Sequence, residues 1–183
     1  MKLSGKNYFI DSITEEHINS KYIGWLNDKE VNKFLEIRHE EQNYNSILKY
    51  IKSFQSDDTK VLWGVFYKKK ANMVGTVNIY NISKHNETGD ISIMIGDKYH
   101  WGKSAAEEAL ILTIEYAFKI IGLRKLIAST FAVNLGINFT LKKIGFAVEG
   151  KLIKNRKIFN NKYSDEFKWG LFAADWGLKQ NAK

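Results

Sequence analysis

The sequence predicts an α/β fold in which helices pack on a mixed sheet, in the order β-α-α-β-β-β-α-β-α-β-β. Three observations carry this. Some short segments alternate apolar and polar residues, others repeat apolar residues at helical spacing, and turn residues separate the two kinds. "NYFIDSI" is a first strand. "TEEHINSKYIGWLND" reads as a helix with Thr14 at its N-cap and acidic residues in its first turn, where they favour the helix dipole. A further helical turn is expected around Lys29 to Phe34, and "NSILKYIKSFQS" sets Ile47, Tyr50, Ile51 and Phe54 on one helical face. "KVLWGVFY", the turn "KKKAN" and "MVGTVNIYNI" form a hairpin, and "GDISIMIG" adds a strand through Ile91, Ile93 and Ile95. Ala106, Ala109, Leu110, Thr113, Ile114, Ala117 and Ile121 then recur at helical spacing, with Gly122 placed to end the helix. "RKLIASTF" is the next strand, "NLGINFTLKKIGF" a short helix ending at Gly145, and "FAVEGKLI" and "YSDEFKWGLFAA" are the last two strands.

No repeat, low-complexity tract or linker-like break interrupts the 183 residues, so a single domain over residues 1–183 is expected. Proline is absent, and the turns rely on Gly and Asn. With no cysteine there is no disulfide, thiolate metal site or cysteine nucleophile. Four scattered histidines without a His-x-x-x-His pair argue against a catalytic metal. No apolar run approaches the ~18 residues of a membrane span, and "MKLSGKNYFI" does not read as a secretory signal, so a cytoplasmic location with no membrane partner is expected. The formal charge of +8 points to an anionic partner. Because no helix concentrates Lys and Arg on one face, a nucleic acid is not the expected one.

The stretch "ISIMIGDKYHWGKSAAEEAL" carries the chemistry. A strand runs through Gly102, Lys103 and Ser104 into a helix, the arrangement by which backbone N–H groups and the positive end of a helix hold phosphate. It is not a Walker A loop, because Asp97 to Trp101 separate the two glycines, one residue more than the four that loop allows. A dinucleotide-binding glycine motif would follow the first strand of a parallel sheet, whereas this glycine follows strands that pair as hairpins.

"DKYHWGKSAAEEAL" resembles the cofactor-binding element of the GNAT superfamily of acetyl-CoA-dependent N-acetyltransferases, in particular its ribosomal-protein N-terminal acetyltransferase-like branch. Asn134, "IGFAVEG", "NNKYSDEFKWGLF" and the opening "LSGKNYFIDSITEEHI" with "WLNDKEV" are similar to further motifs of that branch, in the same order. The resemblance covers nearly the whole chain. It implies a mixed, mostly antiparallel seven-stranded sheet with helices on both faces, acetyl-CoA as co-substrate and no metal. The pyrophosphate would lie on Gly102, Lys103, Ser104, Ala105 and Ala106, and the pantetheine arm along Ile93, Met94 and Ile95 with help from Asn134. Ser104 stands where the family has a second glycine, and it reads either as a phosphate contact or as a helix N-cap.

Attack by a neutral amine on a thioester needs a base for the amine proton. Asp90, at the position of an acid in that branch, is the first candidate; Glu87 and His85 in the preceding loop follow, and a solvated strand-start carboxylate is the alternative. The family's usual proton donors to the thiolate fall on Leu141 and Ile137 here. A thiol of pKa about 8.5 leaves with little help, and Asn138, Thr140 or Tyr163 remain as donors. The resemblance thus implies acetyl transfer to a primary amine. The basic stretch "KLIKNRKIFNNKY" points to a small, anionic acceptor such as a nucleotide-linked amino sugar. A protein N-terminus is the second reading, a CoA-binding module without turnover comes from another class, and a homodimer is left open.

Overall fold

The computed structural model describes residues 1–158 and 161–181, and the side chains of all of these except 178–181. Its elements are β1 (Leu3–Ser4), β2 (Tyr8–Ser12), α1 (Ser20–Asn27), α2 (Tyr44–Gln55), β3 (Val61–Tyr67), β4 (Asn72–Ser83) and β5 (Thr88–Ile95). They continue with α3 (Ala105–Tyr116), β6 (Lys125–Phe131), α4 (Leu135–Ile144), β7 (Ala147–Lys157), β8 (Tyr163–Phe172) and α5 (Ala173–Asn181). All strands join one sheet in the order β1-β2-β3-β4-β5-β6-β8-β7. Every neighbouring pair is antiparallel except β5 and β6.

Three differences from the sequence reading have local causes. The sheet has 8 strands rather than seven, because Leu3–Ser4 pairs with β2 at the edge and is too short to show a period. The expected first helix is split: Thr14 caps only a short 3-10 turn over Glu15–His17, and Asn19 starts α1 afresh by accepting from Tyr22 N. The last strand ends at Phe172, and Ala173 and Ala174 open α5 instead of extending it. The helix after the Gly-Lys-Ser turn ends as expected, at a Gly122 with φ +81°, after a π-turn over Ala117–Ile121.

Two apolar layers sandwich the sheet. Ile79, Ile91, Leu126 and Leu171 pack with Ala109, Leu110 and Ile114 of α3 and Leu141 of α4 on one face. Phe9, Leu62, Phe66 and Met94 pack with Tyr22, Trp25 and Leu26 of α1 and Ile47 and Ile51 of α2 on the other. Alternation along β5 therefore sends Ile91 and Ile93 toward α3, and Asp90, Ser92 and Met94 toward α1 and α2.

Candidate active site

The site begins where the sheet comes apart. β5 and β6 pair only from Thr88 to Asp90 against Lys125 to Ile127, and beyond those residues the ladder stops. On its other edge β5 stays paired with β4 up to Ile95. Gly96 N donates to Val74 O, and the antiparallel register carries this pattern back to Met94, Ser92 and Asp90, whose backbone groups face β4. The backbone groups of Ile93 and Ile95 therefore face the gap. Ile95 O accepts from the indole of Trp101 at 2.7 Å, which among the described residues leaves Ile93 as an unpaired strand edge inside the molecule. An extended, amide-bearing arm could pair there as an added strand.

The loop after β5 leads directly into the Gly-Lys-Ser turn that the sequence offers as a phosphate cradle. Gly102 has φ +70° and open space where a side chain would stand. Ser104 also lies in the left-handed region, with φ 61° and ψ 8°, and its hydroxyl makes no capping bond. The backbone thus keeps a conformation suited to glycine, at a cost of about 1 kcal/mol for serine. The first hydrogen bond of α3 runs from Glu108 N to Ser104 O, so among the described residues the N–H groups of Gly102, Ser104, Ala105 and Ala106 have no backbone acceptor. Lys103 differs: its N–H reaches His100 O at 3.4 Å, and its ammonium sits 3.2 Å from the centre of the Tyr99 ring. His100 anchors the loop to the core through a 2.8 Å hydrogen bond between its Nδ1 and Tyr8 Oη, and burial lowers its pKa.

The two positions of the family's usual proton donors are structural here. Leu141 is 1% exposed and Ile137 packs against the core. Asn138 is committed to the turn after β6: it accepts from Thr130 Oγ1 and donates to Phe131 O and Ala132 O, while Trp169 Nε1 donates to Thr130. Thr140 donates to Gly136 O within α4. Tyr163 is 58% exposed at the start of β8 and is not part of the cavity wall. Among the three possible donors, it stands apart from the cavity. Asn134 opens α4 without a side-chain capping bond.

Asp90 is the last residue of β5 paired to β6. It accepts from Asn81 Nδ2 at 3.0 Å and lies opposite Tyr80, whose pKa burial raises first and Asp90 second. One repeat further along the same face, Ser92 belongs to a cavity of about 190 Å3 between β4, β5, α1 and α2. Ser92, Ile93 and Met94 line it together with Thr76 and Asn78 of β4, Tyr22 of α1 and Tyr50 of α2. Sequence reasoning missed Tyr22, Thr76 and Asn78, which sit within otherwise apolar segments, and treated Tyr50 only as a core position.

Beside the cavity a charged network closes the sheet. Glu166 of β8 is 1% exposed and accepts from Arg156, Lys168 and Asn155. Burial alone would raise its pKa, but these donors outweigh it and hold the carboxyl at about 2. Arg156 also reaches Glu36 Oε1 at 2.7 Å, and Lys151 pairs with Asp165 at 2.8 Å. Part of the positive charge of "KLIKNRKIFNNKY" is thus balanced within the chain; residues 159 and 160 of that stretch lie outside the described residues. Among the described residues no group of histidine and acidic side chains is arranged to hold a metal.

Known proteins resemble this chain in sequence or in fold. The chain resembles the Probable N-acetyltransferase YjcK of Bacillus subtilis (strain 168), with 34% identity over 102 residues covering 55% of this chain and 56% of the relative. That match spans little more than half of the relative's length. A solved structure described as a probable acetyltransferase superposes with a TM-score of 0.82 at 18% identity, covering 96% of this chain and 99% of the other. Spermidine N-acetyltransferase from Vibrio cholerae, solved with CoA and spermine, superposes with a TM-score of 0.82 at 17% identity over 93% and 98%. The acetyltransferase (GNAT) domain model matches residues 9–147, which run from β2 through the parted strands and the Gly-Lys-Ser turn to the start of β7. By that match the chain belongs to the GNAT acetyltransferase family.

Proposed function

We propose that the protein transfers acetyl from acetyl-CoA to the nitrogen of a small primary amine. The carrying observation is the parting of β5 from β6 beside a cavity, with Ser92, Ile93 and Met94 bordering both. In this reading Ile93 offers its free N–H and C=O to the pantetheine amides, and Met94 closes the cavity wall with its side chain. Ile95 positions Trp101 at the mouth of the gap. The N–H groups of Gly102, Ser104, Ala105 and Ala106 hold the pyrophosphate at the positive end of α3, with Lys103 as a nearby cation and Asn134 on the far side of the gap.

When bound, acetyl-CoA supplies an acetyl group activated as a thioester, so that nitrogen takes the acyl carbon and CoA leaves as thiolate. Asp90 takes the proton shed by the nitrogen, through a water, from its place one strand repeat from Ser92. No side chain is needed as acid, which agrees with the apolar packing of Leu141 and Ile137. The relatives named above do not single out the ribosomal-protein N-terminal branch, so the acceptor is argued from the cavity.

The test is release of CoA thiol by the purified protein, given acetyl-CoA and a panel of primary amines. Amine-dependent release is expected. Tight acetyl-CoA binding with no release for any amine, including peptide N-termini, would instead make the chain a binding module.

A further inference from the structure

The turn between β5 and α3 is strained, and its strain has to be held. Gly102 and Ser104 both lie in the left-handed region, and a serine stays there only where surrounding contacts fix the backbone. Up to Asp97 the loop is held by β4, where Gly96 N and Asp97 N both donate to Val74 O. Beyond it, contacts on both sides of the strained residues lead to one place on β2. Before the turn, the buried His100 shares a 2.8 Å hydrogen bond between its Nδ1 and Tyr8 Oη. After it, Glu108 in the first turn of α3 accepts from Tyr8 N at 3.1 Å, and from Asn7 N at 2.8 Å and Asn7 Nδ2 at 3.1 Å.

The surroundings fit such a staple. Tyr8 is buried in the apolar layer that holds Ala105 and Ala109 of α3; its ring meets His100 edge-on at 5.6 Å, and Tyr67 lies 4.8 Å from the same imidazole. A side chain at Gly5 would stand 2.8 Å from Glu108 Oε2, so the glycine leaves room for the carboxylate to reach the β2 main chain. Between residues 100 and 108 lie the N–H groups of Gly102, Ser104, Ala105 and Ala106. Such groups bind an anion most tightly when they already point together, because no freedom is then lost in aligning them.

We propose that Tyr8 is a positioning residue for the cofactor: its hydroxyl fixes the residue that enters the cradle and its main chain fixes the helix turn that leaves it, so that the N–H groups between them meet the pyrophosphate already aligned. The inference rests on the acetyl-CoA reading of the site. The test is NMR titration of CoA, and of pantetheine, which lacks the pyrophosphate and the nucleotide, into the native protein, Tyr8→Phe and Glu108→Ala. Each variant removes one side of the staple, and Tyr8→Phe keeps the ring and the main-chain bond to Glu108. Both should weaken CoA at least about fivefold and leave pantetheine within about twofold of the native protein, a split that general loosening of the fold would not produce. His100→Asn, whose amide can still meet Tyr8 Oη, should lose less CoA affinity than His100→Leu. CoA affinity within about twofold of native in either variant, or an equal loss for CoA and pantetheine, overturns the proposal, and one folded variant is enough to decide. A native protein that binds CoA no tighter than pantetheine overturns the acetyl-CoA reading of the cradle, and the proposal with it, before any variant is made. The expected split without acetyl transfer to any amine upholds the role of Tyr8 and overturns the transfer reading alone.

Discussion

The two halves of the cleft are built from different material. On the proposed cofactor side the groups offered are backbone: the edge at Ile93 and the N–H groups of Gly102, Ser104, Ala105 and Ala106. On the proposed acceptor side they are side chains drawn from α1, α2, β4 and β5, positions as far apart in sequence as Tyr22 and Met94. A backbone site depends on spacing and on where a strand becomes a helix, so it tolerates a change such as serine for glycine at 104. A side-chain site has no such grammar, and a single substitution can change what it accepts.

The largest effect is expected from breaking the backbone half. Gly102→Asp adds negative charge beside the pyrophosphate and forces a side chain onto a φ of +70°. Acetyl-CoA affinity should fall about a hundredfold by calorimetry, with the fold retained by circular dichroism. Unchanged affinity would move the cradle elsewhere. For the side-chain half, Asp90→Asn should cost about a hundredfold in kcat at low pH, the usual scale for a general base. The deficit should shrink as pH rises and the free amine becomes abundant, and a loss that is uniform with pH would remove Asp90 from the proton path.

Glu166→Gln tests the network beside the cavity. It leaves Arg156 and Lys168 without their buried counter-charge and should destabilise the protein by about 3 kcal/mol in urea. The native carboxyl titrates near 2 against an ordinary 4.5, so its contribution is complete above about pH 4.5 and is lost as pH falls toward 2. Acid unfolding should therefore steepen across that window in the native protein and much less in the variant. The smallest effects are expected at the two positions that depart from simple expectation. Ser104→Gly relieves a left-handed serine and should raise stability by at most about 1 kcal/mol, with acetyl-CoA affinity within threefold. Tyr163→Phe should lower kcat less than threefold, because the residue is exposed and away from the cavity wall.

This contrast also explains what was legible. Strand alternation through Ile91, Ile93 and Ile95 and the Gly-Lys-Ser turn are local patterns, and the strand, turn and helix fell where those patterns put them. The split of the first helix at Asn19 was not legible, because two capping residues, Thr14 and Asn19, compete within one amphipathic run. Asn138 looked like a free donor, yet its amide is fully used by Thr130, Phe131 and Ala132, contacts that exist only once β6 and α4 meet. The cations at Lys151 and Arg156 suggested an anionic acceptor for the same reason: their partners Asp165, Glu166 and Glu36 come from β8 and from the chain before α2.

The central claim is that the gap between β5 and β6 receives the arm of the cofactor. Amide hydrogen exchange at Ile93, followed by NMR with and without CoA, reads it directly. The account predicts an Ile93 N–H that exchanges fast alone and at least tenfold more slowly with saturating CoA, while Ser92 and Met94, already bonded to β4, change little. An Ile93 N–H that exchanges equally fast in both states would contradict it.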